Sequence, residues 1–172
     1  MTSSKSAGER PSRLAAPARP ARRKAAGRAS PKVRQQFAAL PYRGEGDVEI
    51  LLITSRETGR WVIPKGWPMK GKAPWDAAAR EAFEEAGVLG DVKERPIGSY
   101  PYVKFLKSGL GRPCKVKVFP LRVTEQHDAW PEKDQRILRW FDWPSAAEAV
   151  QELRLGRIIR RFAKRAARGD LA

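Results

Sequence analysis

The chain has 172 residues, 41% of them hydrophobic, with one cysteine and a formal charge of +16. That length and apolar content suffice for one domain with a real core, and a single cysteine excludes an intramolecular disulfide, as expected of a reducing, cytoplasmic setting. No apolar run approaches the roughly 18 residues of a membrane helix, so a soluble protein with no membrane partner is expected.

The positive charge is concentrated at the ends. Residues 1–36 carry ten Lys or Arg against one acid, Glu9, and residues 150–172 carry seven against Glu152 and Asp170. Residues 37–149 are nearly balanced, with 18 basic and 16 acidic side chains. The first 33 residues are rich in Ala, Pro, Arg and Ser. They cannot bury enough surface to offset their ordering entropy and read as a disordered basic arm. Such composition also resembles that of organellar transit peptides, but Pro11, Pro17, Pro20 and Pro31 interrupt any long amphipathic helix. Basic ends of this kind suit weak contact with nucleic acid or another polyanion.

In chain order, "VEILLIT" (48–54) is a short continuous apolar run and reads as a buried strand. "ETG" turns the chain into "RWVIP" (60–64), a second short strand, and the loop "KGWPMKGKAP" (65–74) follows. Pro74 suits the first turn of a helix, expected from about Trp75 to Ala86 with Gly87 as its left-handed cap. "ERPIGSYPYVKFLK" (94–107) and "PCKVKVFPLRVTE" (113–125) read as a hairpin joined by "SGLGRP". "RWFDW" (139–143) is a shorter strand candidate. Pro144 opens a helix through "SAAEAV" that continues into "QELRLGRIIRRFAKRAA", with Gly156 as a point of interruption. Strands and helices are mixed rather than strictly alternating, which predicts an α/β sandwich with a mixed sheet.

The helix at 75–86 carries the chemistry. On a wheel at about 100° per residue, Ala79, Ala82, Phe83 and Ala86 form an apolar stripe expected to face the core. Glu81, Glu84 and Glu85 fall together on the opposite side, with Arg80 four residues before Glu84. An ion pair at that spacing contributes only about 0.2–0.5 kcal/mol. It does not explain three acids, with no lysine among them, in so basic a chain. Two readings are open: a solvated acidic face, or a site for a hard divalent cation such as Mg²⁺, which takes oxygen ligands and is shared between carboxylates and substrate phosphates.

Gly66 followed by "REAFEEAGV" (80–88) resembles the Nudix box: a glycine, a spacer with one glutamate, Arg-Glu, an apolar residue, any residue, Glu-Glu, any residue, then glycine and an apolar residue. The spacing from Gly66 to Arg80 and on to Gly87 matches. The sequence departs from the pattern at Lys72, where the spacer glutamate would fall, and fills the apolar position after Arg-Glu with Ala82. "ILLITSRETGRWVIPKG" and "TEQHDAWPEKDQRILRWFDWPSAAEAV" are similar to the branch that cleaves diphosphoinositol polyphosphates and diadenosine polyphosphates. The resemblance covers residues 34–155 as the catalytic domain and leaves 156–172 as a basic C-terminal helix or tail.

The resemblance implies a Nudix-type α/β/α sandwich with a mixed β-sheet. It also implies hydrolysis of a diphosphate linkage by water attack at phosphorus, with Mg²⁺ or Mn²⁺ as cofactor. Glu81, Glu85 and the backbone carbonyl of Gly66 would hold the metal. Glu84 would accept the proton or share the metal, and Arg80 would orient the carboxylates. Some family members recruit a base from outside the box, for which Glu125, Asp128 and Glu132 are candidates. Ser55 and Arg56 match a substrate-contacting turn of the branch, and Arg34 is a candidate for a similar part. With Lys65, Lys70 and Lys72 on the entrance loop, these cations suit a highly anionic small-molecule substrate. The alternative is an RNA 5′-pyrophosphohydrolase, or an RNA-binding relative, that uses the basic termini. His127 and Cys114 read as structural. Trp67 and Trp130 read as packing residues or as surfaces on which a base stacks.

Overall fold

The computed structural model describes residues 32–105 and 109–171. The expected basic arm, 1–33, lies outside these residues except for its last two positions, and so does part of the hairpin turn.

β1 (Arg34–Arg43), β2 (Glu49–Thr54), β3 (Trp61–Val62), β4 (Lys65–Gly66), β5 (Val88–Val92), β6 (Gly98–Phe105), β7 (Gly111–Gln126) and β8 (Leu138–Asp142) form one sheet. Its main path runs β3-β2-β1-β7-β5, with β4 on β1, β6 on β7 and β8 on β2. The β1–β7 pair is parallel and the others are antiparallel, so the sheet is mixed. α1 (Pro74–Ala86), α2 (Trp143–Ala149) and α3 (Leu153–Ala166) cover it. The apolar run in β2 explains the layering. Successive strand residues point to opposite faces, so Ile50 and Leu52 pack with α2 and α3 while Leu51 and Ile53 pack with the alanines of α1. A strand covered on both sides has no polar face to show. The expected α/β/α sandwich is what forms.

Three strands escaped the sequence reading, of which β4 is a two-residue pairing within the expected loop 65–74. β1, "RQQFAALPYR", is buried on both faces over most of its length. It therefore lacks the alternation that marks a half-exposed strand, and its two alanines and its proline carry little strand signal. β5 is short, and its register shifts between Leu89 and Gly90.

The predicted helix and its cap are present: α1 starts at Pro74 and stops at Gly87, which has φ 67° and donates its N–H to Phe83 O at 2.8 Å. The continuous helix expected after Pro144 is instead two helices. Val150 and Glu152 are extended and separate them. Asp142 caps α2 by accepting from Ser145 N at 2.8 Å. Gly156 does not interrupt α3. It lies where the helices touch, and a Cβ there would come within 2.7 Å of Ala147 O. The boundary expected between residues 155 and 156 falls inside α3, whose Leu155, Ile158, Ile159 and Phe162 are buried in the same cluster as Tyr42, Ile50 and Val118. Residues 156–166 are thus part of the domain's core. No helix among the described residues is long and apolar enough to cross a membrane.

Candidate active site

The orientation of α1 differs from the wheel reading by roughly a quarter turn. Its buried positions are Ala77, Ala78, Ala82, Glu85 and Ala86, while Ala79 and Phe83 lie at the margin. Alanines let the helix lie close on the sheet, and Phe83 finds cover sideways, edge-on to His127 at 5.6 Å. Glu85 and Glu81 are thereby turned toward the sheet, over the short strand β4, and only Glu84 stays on an open flank.

Each carboxylate is held differently. Glu85 is 7% exposed, accepts from Lys65 N at 2.9 Å and is ion-paired with Arg136. Burial pushes its carboxyl up, against the lowering influence of Lys65 and Arg136. Glu84 accepts from Arg80 Nε at 2.6 Å, the i,i+4 pair expected. The Glu81 carboxylate lies against Gly66, where a Cβ would land on it. Burial, reinforced by Glu85, Glu84 and Glu132, pushes Glu81 up to about 7. Among the described residues, no three His, Cys, Asp or Glu side chains converge in a ready-made metal cluster. The donor set nevertheless fits a divalent cation. Glu81 is a half-buried carboxylate with no salt-bridge partner among the described residues, raised by burial and then by the acids around it. Its oxygens are hard ligands.

Beside Glu85, a small pocket is lined by Gln36, Ser55, Arg56, Lys65, Tyr102 and Lys104, with Arg136 at its wall. The Ser55 and Thr58 hydroxyls are hydrogen-bonded at 2.5 Å in the turn that presents Arg56. Arg56 reaches Glu132 at 3.2 Å and Gln135 at 3.0 Å. Lys65 Nζ lies 4.6 Å from the Tyr102 ring centroid. The structure thus brings Ser55, Arg56 and Lys65 together with Glu85. It does not bring Lys70 or Lys72. Lys70 is exposed, and Lys72 borders a separate groove with Asp76, Arg80 and Phe83. Both are exposed, and neither lines the pocket beside Glu85. Arg34 lies 4.7 Å over the Trp67 ring, with Lys104 at 5.2 Å from the same ring. Trp67 is therefore occupied by cations, and Trp130 lies over Gly87.

Of the three candidate bases outside the helix, Glu132 is at the site: its N–H donates to Glu84 O at 3.1 Å, and its carboxylate accepts from Arg136 at 2.8 Å. Glu125 instead faces His127 at 3.4 Å. Arg136 was missed. Its side chain is 5% exposed and spans Glu85, Glu132 and the Thr54 carbonyl, the last at 3.0 Å. Its only sequence signal was the Glu132–Arg136 i,i+4 spacing.

The architecture is a mixed sheet between helices, with a glutamate-rich helix laid across the short strand that carries Gly66. The NUDIX domain family model matches residues 32–166, and the chain belongs to the Nudix hydrolase family, enzymes acting on pyrophosphate-containing substrates. It is 35% identical over 127 residues to Nudix hydrolase 17, mitochondrial, of Arabidopsis thaliana, covering 69% of this chain and 68% of that one. It is 33% identical over 121 residues to diphosphoinositol polyphosphate phosphohydrolase 3-beta of Bos taurus, covering 70% and 69%. The fold is similar to that of a C. elegans Ap4A hydrolase in a binary complex, with TM-score 0.57 and 23% identity over 77% of this chain and 96% of that one. The expected cytoplasmic location does not stand: several plant relatives are named mitochondrial or chloroplastic, which points away from it. A lone cysteine reports redox conditions too coarsely to distinguish such compartments.

Proposed function

We propose that this enzyme hydrolyses a diphosphate linkage in a highly anionic small molecule, a diphosphoinositol polyphosphate or a diadenosine polyphosphate, with Mg²⁺ or Mn²⁺ as cofactor. The observation that carries this reading is the adjacency of two opposite fields: Glu81, Glu84, Glu85 and Glu132 on one side, and Arg56, Lys65 and Lys104 lining the pocket beside Glu85 on the other.

Glu81, Glu85 and the Gly66 carbonyl would hold the cation. When bound, it neutralises phosphate charge and lowers the pKa of water. Arg56, Lys65 and Lys104 bind the phosphate oxygens, and Ser55 fixes the turn that presents Arg56. Arg136 holds the Glu85 carboxylate in place and keeps Glu132 against the end of α1. Glu84, on the open flank and steadied by Arg80, accepts the proton of the attacking water. A P–O bond to that water oxygen forms, the bridging P–O bond breaks, and the leaving phosphate departs with the bridging oxygen.

The test is a substrate panel of both classes with Mg²⁺ and identification of the products. Phosphate release from a diphosphoinositol polyphosphate, or nucleotide products from a diadenosine polyphosphate, is expected. No product above background from either class contradicts the proposal.

A further inference from the structure

α3 presents an uninterrupted cationic face. Leu155, Gly156, Ile158, Ile159, Phe162, Ala163 and Ala166 are buried. From residue 154 to the helix end, every exposed position is basic: Arg154, Arg157, Arg160, Arg161, Lys164 and Arg165, with Arg168 just beyond. At about 100° per residue the six within the helix fall within an arc of about 140°, and Glu152, just before the helix, is paired with Arg60 at 3.4 Å. Among the described residues, Asp170 to Arg165, at 3.2 Å, is the one acid paired with this face. A merely solvated helix mixes its signs, because like charges at i,i+3 and i,i+4 repel. Here at least six cations are held in one row on a helix whose other side is anchored in the core.

We infer that this face is a docking surface for duplex nucleic acid, recognised through its phosphates. α3 is about 21 Å long at 1.5 Å per residue. A duplex carries one negative charge per roughly 1.7 Å of axis, both strands counted, so a stretch as long as α3 holds about 12 phosphates, and the roughly half on the facing side match the six cations of the helix. The charge match is thus met along the whole row. A lipid surface fits less well, because the apolar side of α3 is buried and Leu153 at its first position is the one exposed apolar side chain of the helix, too little to anchor it among acyl chains. A single strand fits less well too, since the exposed face has no aromatic residue on which bases stack. Contact through phosphates alone carries no sequence preference. The surface is separate from the glutamate site, and the inference does not depend on the proposed substrate.

The test uses the full chain, a mixed-sequence 24-base-pair DNA duplex and vesicles of phosphatidylglycerol. Duplex affinity should fall steeply with salt, by about a thousand-fold between 50 and 200 mM for six phosphate contacts. The triple variant Arg157→Gln, Arg161→Gln, Arg168→Gln should weaken binding and make the log–log salt slope shallower by about 2.7. These arginines are exposed and lie outside the pyrophosphatase machinery, so the melting temperature and turnover should not change. An unchanged slope in the triple variant overturns the inference, because cations elsewhere then carry the binding. So does binding to the vesicles but not to the duplex, or equal affinity for a single strand.

Discussion

The Glu81 carboxylate lies against the α-carbon of Gly66, in the space that any side chain at position 66 would take. This contact between α1 and β4 fixes where the Glu81 carboxylate sits over the strand, beside Glu85, which accepts from Lys65 N. Gly66 is required for close approach rather than for an unusual backbone angle. Gly66→Ala should displace Glu81, whose flexible end can rotate away, so the fold should survive. Turnover should fall by about 100-fold, the scale on which misplacing a group by about 1 Å acts, with the melting temperature nearly unchanged. Wild-type turnover would show that the contact is not needed.

The burial of Glu81 among other acids makes stability depend on pH. Its carboxyl sits at about 7 in the fold against 4.5 ordinarily, because of burial first and then Glu85, Glu84 and Glu132. Between those values the folded protein keeps a proton that the unfolded chain has released, so this group's contribution to stability falls as pH rises from about 4.5 to 7. Below that window it costs nothing. A divalent cation favours the charged form and should offset the loss. Melting curves should show a larger Mg²⁺-induced rise at about pH 8 than at about pH 5.5, and Glu81→Gln should flatten both the pH slope and the Mg²⁺ response. Equal Mg²⁺ shifts at both pH values would count against this account.

Arg136 neutralises a carboxylate that burial would otherwise penalise. Arg136→Ala leaves Glu85 buried without its guanidinium, and breaking such a pair costs about 3–5 kcal/mol. Arg136→Lys should recover only part of this, since an ammonium cannot bridge two carboxylates and a carbonyl at once. Urea denaturation measures both. Native stability in Arg136→Ala would show that the pair contributes nothing.

Much of the site was legible because its spacing is dictated by its chemistry. Gly66, Arg80, Glu81, Glu84, Glu85 and Gly87 lie within one loop and one helix, so their separations are fixed locally. What the residues do not encode locally stayed hidden. Arg136 comes within reach of Glu85, 51 residues away in sequence, only because β8 pairs with β2. β1 is masked by burial on both faces, and the face of α1 was misplaced because Phe83 looked like a better core residue than Glu85. Arg136 and the Lys65 N–H make that burial tolerable, and neither shows in the helix's own periodicity.

Assignment of α3 to the domain has its own test. Phe162 is 3% exposed and packs edge-on against Tyr42 at 4.8 Å. Phe162→Ala should cost about 3–5 kcal/mol, as for large-to-small changes in a core. A cost near zero by urea denaturation would return residues 156–166 to the status of a tail.

The claim on which the functional account rests is that Glu81 and Glu85 hold a divalent cation. Titrating the protein with Mn²⁺ and following the free-ion signal by electron paramagnetic resonance tests it without any substrate. The account predicts binding by the wild-type chain and at least about 10-fold weaker binding by both Glu81→Gln and Glu85→Gln. Equal Mn²⁺ affinity in the wild type and both variants would contradict it.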